Sequence, residues 1–173
     1  NQLAQKHINF ISNKYGLSET TIKRAKIGFC KGNLLDKLRA EGFEDDLTGI
    51  CGLVTKLDNG KLTDLFYDHI IIPYLDRGQP VYFKGRAQNP KNGNKYYNLN
   101  GTSEFVKNPL YKARVQGSNT LVLVEGEFDA LATTELLESD VIALGKAGLS
   151  KYKKKDLFKL VSRYDDVVIV NDV

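Results

Sequence analysis

Apolar residues in the first fifty positions recur at helical spacing and predict short helices. Ser18 precedes the segment ETTIKRAKI as a candidate N-cap, and Gly28 follows that segment as a stop signal. Asn33 is placed to cap a second helix, LLDKLRAEG, in which Gly42 ends the run. We therefore expect residues 1–50 to be helical.

From Ile70 onward the helical spacing gives way to strand patterns. The segments HIIIPYLD and PVYFKGRA, joined by a turn at 76–78, predict a β-hairpin, and a further short strand is expected at 96–99. Residues 51–117 are thus expected to be strand-rich. Together with residues 1–50 they would form an N-terminal basic subdomain over 1–117.

After Ser118 strand and helix patterns alternate. Continuous apolar runs in TLVLVEG, DVIALG and DDVVIVND are typical of parallel strands covered on both faces. Between them, EFDALATTELLES and YKKKDLFKLVSRY follow helical spacing. The pattern predicts a parallel βαβαβ sheet over 118–173, and the fold class is a combination of α+β and α/β.

The composition is that of an ordinary globular protein. Of 173 residues, 42% are hydrophobic and 27% are charged, which excludes collagen-like and disordered chains. The longest apolar runs are strand-sized, so we expect no transmembrane helix and no membrane partner. Cys30 and Cys51 have no CxxC partner or His pair, so we expect no zinc site and two reduced thiols in a cytoplasmic protein.

Positive charge is concentrated in one stretch of the chain. Between Arg77 and Val115 eight basic residues stand against the single acid Glu104, although the whole chain carries only +4. Cations interleaved with aromatic rings are typical of a surface for single-stranded nucleic acid. The alternative is a strand whose aromatic residues belong to the core and whose lysines are merely solvated.

Three acids lie at the ends of the predicted parallel strands. Glu125 ends the first strand, Asp129 follows one helical turn later, and Asp172 ends the third strand. If the first and third strands are neighbours, Glu125 and Asp172 converge at the carboxyl edge of the sheet. Converging carboxylates indicate a hard cation such as Mg²⁺. Any one of these acids, taken alone, could instead be a helix cap or a solvated loop residue.

Several segments resemble one known family. The string VEGEFDALA resembles the EGxxD signature of the Toprim domain, and VVIVND resembles the start of its DxD signature. Upstream, YGLSETTIKRAKIGFC, NKYYNLNG and EFVKNPLYKA resemble the RNA-polymerase domain of bacterial and phage DnaG-type primases, in the same order. The resemblance implies a Rossmann-like Toprim sheet, incomplete at its C-terminal end, in the catalytic core of a DNA primase.

The same resemblance implies roles for individual residues. Glu125 would be the essential catalytic acid and a metal ligand, Asp129 the second acid of the signature, and Asp172 a further catalytic acid and metal ligand. A basic set would contact the phosphates of template and nucleotide: Arg86, Lys95, Lys107 and Lys84. The chain departs from the family pattern at 82–85, where the family favours glycines, and at His69, where it usually has Arg.

The implied activity is metal-dependent synthesis of short RNA primers. The cofactors would be two Mg²⁺ or Mn²⁺ ions, and the partners single-stranded DNA, nucleoside triphosphates and a replicative helicase, fused or separate. We expect a monomeric piece of a longer protein from a bacterium or an infecting phage, with any zinc-binding module before Asn1. Two alternatives stay open: another Toprim enzyme (nuclease or topoisomerase), and a non-catalytic module that binds single-stranded nucleic acid. A metabolic doubly wound domain is disfavoured because no GxGxxG follows the first strand.

Overall fold

The structure, a computed structural model, describes residues 3–90, 93–99, 108–145 and 149–171. The helices are α1 (Gln5–Tyr15), α2 (Glu19–Arg24), α3 (Leu34–Ala40), α4 (Asp45–Ile50), α5 (Glu127–Leu136) and α6 (Lys151–Val161). The strands are β1 (Gly28–Cys30), β2 (Val54–Lys56), β3 (Leu62–Asp64), β4 (His69–Asp76), β5 (Gln79–Ala87), β6 (Tyr96–Asn98), β7 (Tyr111–Arg114), β8 (Thr120–Val124), β9 (Asp140–Ala143) and β10 (Asp166–Val170).

The chain divides into two compact units. Unit 1 contains Asn1–Ala4, Ile27–Pro73 and Pro80–Lys107, and unit 2 contains Gln5–Lys26, Tyr74–Gln79 and Asn108–Val173. Helices α1 and α2 therefore belong with the C-terminal part of the chain. Each unit consists of several separate segments of the chain, whereas the expected domain division is a single boundary between residues 117 and 118. That boundary stays a prediction.

One four-stranded sheet contains β1, β4, β5 and β6, in the order β1-β4-β5-β6. Strand β1 pairs antiparallel with β4, and β6 pairs antiparallel with β5. Ile70 and Ile72 of β4 and Tyr82 of β5 are buried residues of this sheet. The predicted hairpin is present, and its turn has positive φ at Arg77 and Gly78, as a tight two-residue hairpin turn requires.

The expectation that residues 1–50 are helical was wrong at residues 28–30. Strand β1 lies inside that segment, and α2 ends at Arg24, before the stop signal predicted at Gly28. Ser18 does cap α2, since its side chain accepts a hydrogen bond from the Thr21 N–H. Three apolar residues that pair with a neighbouring strand cannot be distinguished from a helix end by periodicity alone.

Helix α3 is capped by a distant residue. Asn33 occupies the N-cap position but adopts a left-handed conformation, with φ of 57°, and its side chain makes no capping hydrogen bond. The carboxylate of Asp64, at the end of β3, accepts the N–H groups of Leu34 at 2.8 Å and Leu35 at 2.7 Å. The predicted start of the helix was right and the predicted capping residue was wrong.

Unit 2 is built on a second sheet, in the order β10-β8-β9-β7. Strand β8 pairs in parallel with both β10 and β9, so the condition under which Glu125 and the third strand's end share one sheet edge, that the first and third strands are neighbours, is met. Strand β7 pairs antiparallel with β9, which makes the sheet mixed rather than wholly parallel. Leu121, Leu123 and Ile142 form a core with Leu160 of α6.

None of the helices in the described part of the chain combines the length and the apolar character that a membrane span requires.

Candidate functional site

Glu125 lies at the carboxyl end of the central strand β8. The residue before it, Val124, pairs with Val170 of β10 on one side and with Ala143 of β9 on the other. The Glu125 side chain is half-buried, and its main-chain carbonyl accepts a 2.9 Å hydrogen bond from the Gly145 N–H. A carboxylate thus lies at the edge of the sheet where α/β proteins bind their ligands.

Asp129 lies in the first turn of α5 and folds back toward its start. Gly126 is the N-cap residue of this helix, in an extended conformation. A Cβ atom on Gly126 would collide with the Asp129 carboxylate, so the glycine leaves the space that this carboxylate occupies. An acid three residues after the N-cap is also typical of an ordinary helix start, the structural alternative for this residue.

Glu127 is a buried acid that the sequence reasoning missed. Its side chain is 2% exposed, and Oε1 accepts a 2.6 Å hydrogen bond from the Tyr74 hydroxyl. The ring of Tyr74 packs edge-on against Tyr111, with 4.9 Å between ring centroids. Burial, with the nearby Glu127 charge, raises the pKa of Tyr111. An acid within an apolar helix face was the available signal.

The described residues contain one side of the expected metal site. Asp172 lies outside them, and within them no group of three His, Cys, Asp or Glu side chains could hold a metal ion. Glu125 and Asp129 are the predicted acids for which the structure gives a position. Carboxylate oxygens at a sheet edge are chemically suited to Mg²⁺ or Mn²⁺, which prefer oxygen ligands.

Two of the predicted phosphate-binding cations are buried. Lys84 is 5% exposed and Arg86 is 4% exposed, both on β5. The Lys84 ammonium lies 4.9 Å from the centroid of the Tyr96 ring, and the Arg86 guanidinium donates a 3.1 Å hydrogen bond to the Ala87 carbonyl. An interpretation as freely solvated side chains is wrong for both residues. Lys95 is exposed, and Lys107 lies outside the described residues.

The aromatic residues of the basic stretch are divided between core and surface. Tyr82 and Tyr111 are buried, so the core alternative is right for these two rings. Phe83, Tyr96 and Tyr97 are half-buried. These three rings remain the candidates, among the described residues, for stacking on a base.

His69 is a buried imidazole in β4. Its Nδ1 lies 2.5 Å from the Tyr67 carbonyl oxygen, and its Nε2 has no hydrogen-bond partner among the described residues. Burial lowers the pKa of this side chain, so the neutral form is favoured. Tyr97 packs edge-on against the ring, with 4.7 Å between centroids. A neutral histidine here cannot supply the constant positive charge of an arginine.

Comparison with known proteins gives the same assignment from several directions. The DNA primase of Rickettsia prowazekii (strain Madrid E) is 32% identical over 185 aligned positions, which cover 99% of this chain and 30% of that protein. The solved structure of a DNA primase domain from Pseudomonas aeruginosa is 26% identical, with a TM-score of 0.75, covering 98% of this chain and 55% of that one. A structure of the DnaG primase catalytic domain bound to ssDNA has a TM-score of 0.72 at 24% identity, covering 98% of this chain and 56% of that one.

These similarities confirm the predicted mixed fold class and the predicted resemblance to DnaG-type primases. The chain spans 30% of the length of the Rickettsia relative. The family model described as "DNA primase catalytic core, N-terminal domain" matches residues 1–115, which is more than half of the 173 residues. The chain therefore belongs to the family of the DNA primase catalytic core, N-terminal domain.

Proposed function

We propose that this protein is the catalytic core of a DNA primase, which synthesises short RNA primers on single-stranded DNA with the help of divalent cations. The observation that carries the proposal is the position of Glu125, a half-buried carboxylate at the carboxyl end of β8 in a chain of the primase family. This position is suited to chemistry on a phosphate held at the sheet edge.

The reaction joins two nucleotides. The 3′-hydroxyl of one attacks the α-phosphate of the next, a phosphorus–oxygen bond forms, and the bond to the leaving pyrophosphate breaks. Glu125 would hold a divalent cation together with Asp172, and Asp129 would be the second acid of the site. A bound Mg²⁺ or Mn²⁺ supplies positive charge that stabilises the attacking and leaving oxygens, with two such ions in the usual arrangement.

The basic residues of unit 1 would bind phosphates. Lys95 is exposed and suited to a direct contact, whereas Lys84 and Arg86 are buried and would contribute positive charge next to the Tyr96 ring. We include Lys107 on the basis of the family resemblance. Such contacts hold the template without reading its sequence.

The substrates would be nucleoside triphosphates and a single-stranded DNA template, and the partner a replicative helicase. The DnaG structure described as bound to ssDNA supports the template. We place the protein, as a monomer, in the cytoplasm of a bacterium or of a phage-infected host.

Replacement of Glu125 by Gln tests the proposal. We expect Glu125→Gln to abolish incorporation of labelled ribonucleotides on single-stranded DNA and to leave DNA binding intact. Glu138→Gln is the matched control, because Glu138 is an exposed acid in the same unit and its replacement changes the charge by the same amount. Primer synthesis that survives in Glu125→Gln would overturn the assignment. Loss of DNA binding in that variant would also count against a catalytic role.

A further inference from the structure

Glu127 carries a buried carboxylate, a group that is costly to remove from water. It is the first residue of α5, and 2% of its side chain is exposed. Burying a charged or polar group is unfavourable unless it is hydrogen-bonded. The start of a helix favours negative charge, and the Tyr74 hydroxyl donates a hydrogen bond of 2.6 Å. A well-packed apolar residue at this position would avoid this cost, which indicates that the carboxylate has a specific role.

Tyr74 is itself fixed by packing within unit 2. Its ring is 3% exposed and meets the buried ring of Tyr111 at an interplanar angle of 72°. Tyr111 belongs to β7, the antiparallel edge strand of the sheet. Because the Tyr74 ring is held by this packing, its hydroxyl fixes the position of the start of α5.

The segment held in this way leads directly to Glu125. Glu127 lies two residues after it, and the intervening Gly126 carbonyl accepts the first helical hydrogen bond from the Ala130 N–H at 3.0 Å. On the other side, the Gly145 N–H holds the Glu125 carbonyl at 2.9 Å. The Glu125 main chain is thus held between the segment that follows β9 and the start of α5.

We infer that Glu127 and Tyr74 are positioning residues, whose hydrogen bond fixes the Glu125 carboxylate for binding a divalent cation. This inference rests on the proposed function of Glu125. Groups that orient a metal ligand contribute substantially to metal affinity even though they do not touch the metal. Neither residue contacts the reacting atoms in this account.

Replacement of Tyr74 by Phe removes the hydroxyl and leaves the ring. Tyr164→Phe is the matched control, because the Tyr164 hydroxyl donates a 2.8 Å hydrogen bond to the buried carboxylate of Asp140 in the same unit. Both variants are expected to lower the thermal unfolding midpoint by similar amounts. Only Tyr74→Phe is expected to weaken Mn²⁺ binding to the full protein, measured by calorimetry, by about tenfold.

A second pair of variants separates position from charge. Glu127→Gln keeps an oxygen that can accept the Tyr74 hydrogen, whereas Glu127→Ala does not. We expect Glu127→Gln to retain Mn²⁺ affinity close to the wild-type value and Glu127→Ala to lose about tenfold or more. Equal losses in these two variants would overturn the inference, because the charge rather than the hydrogen bond would then be responsible.

Failure of the inference is distinguishable from failure of the proposed function. If Tyr74→Phe and Tyr164→Phe bind Mn²⁺ equally well while Glu125→Gln does not bind it, the positioning role is wrong and the metal assignment stands. If the wild-type protein and Glu125→Gln bind Mn²⁺ equally, the metal assignment of Glu125 is wrong and the positioning role falls with it.

Discussion

The hydroxyl of Tyr164, just after α6, donates a 2.8 Å hydrogen bond to the carboxylate of Asp140, the first residue of β9. Asp140 is fully buried, and its carboxylate also accepts the N–H groups of Gln116 at 2.8 Å and Gly117 at 3.1 Å. One side chain therefore connects the loop before β8, the start of β9 and the end of α6. These contacts satisfy a charge that would otherwise be costly to bury.

The Asp140 contacts should make stability depend on pH. Burial opposes ionisation of Asp140, but the hydrogen bonds from Gln116, Tyr164 and Gly117 outweigh it and lower its pKa. Because the folded pKa lies below the unfolded value of about 3.9, the contribution is complete above that pH and is lost as pH falls through the folded pKa.

We expect Asp140→Asn to lower the free energy of unfolding at neutral pH by about 1–3 kcal/mol, because two N–H groups and a hydroxyl lose their charged acceptor. The difference from wild type should shrink as the pH falls below the ordinary aspartate pKa of about 3.9 and through the lower pKa of the folded carboxylate, as the wild-type side chain becomes protonated. Urea unfolding across this range measures it. A difference that stays constant with pH would show that the charge of Asp140 does not stabilise the fold.

The second sheet could be predicted because its signal is local. The run TLVLV is buried on both faces in β8, so its residues read as continuously apolar, and the acid that follows marks the strand end. Glu125 was found for the same reason. The pattern predicted the parallel βαβαβ arrangement but not the order of its strands, which the structure gives as β10-β8-β9.

What could not be predicted depends on contacts distant in sequence. Asp64 caps a helix thirty residues earlier, and the Tyr74 hydroxyl meets Glu127 across fifty-three positions. The charges of Lys84 and Arg86 predict exposed side chains, yet both residues are buried and their charged groups lie near the ring of Tyr96. Lys153 of α6 is likewise 2% exposed, and its ammonium donates a hydrogen bond to the Leu144 carbonyl. Hydropathy patterns contain no information on such partners.

Replacement of Asp64 by Ala should destabilise unit 1 through α3. The carboxylate accepts two N–H groups at the start of that helix, so its loss should cost about 1–2 kcal/mol in the free energy of unfolding. Asn33→Gly is the control, because Asn33 makes no side-chain cap and already has a positive φ. We expect a change of about 0.5 kcal/mol or less there. Denaturant unfolding would contradict this capping scheme if Asn33→Gly had the larger effect.

Gly126→Ala should separate stability from activity. The added methyl group would occupy the position of the Asp129 carboxylate, which can rotate away at little cost to the fold. We expect the unfolding midpoint to change little and primer synthesis to fall by about tenfold, because a displaced acid loses its catalytic geometry. Gly49→Ala, at a helical glycine with open space around it, is the control and should retain full activity.

A double-mutant cycle identifies the cause of the Gly126 effect. If the methyl group acts by displacing the Asp129 carboxylate, Gly126→Ala should cost much less activity when Asp129 is already Ala. Additive losses in the combined variant would mean that the methyl group acts on something other than Asp129.

Lys95→Ala should change how DNA binding depends on salt. Lys95 is exposed, so its ammonium can replace a counterion on a template phosphate. For single-stranded DNA, losing one such contact should reduce the slope of log affinity against log salt concentration by about 0.7. The unfolding midpoint should not change. Lys61→Ala, an exposed lysine of the same unit outside the basic stretch, should leave the slope unchanged. Equal slopes for wild type and Lys95→Ala would remove Lys95 from the template contacts.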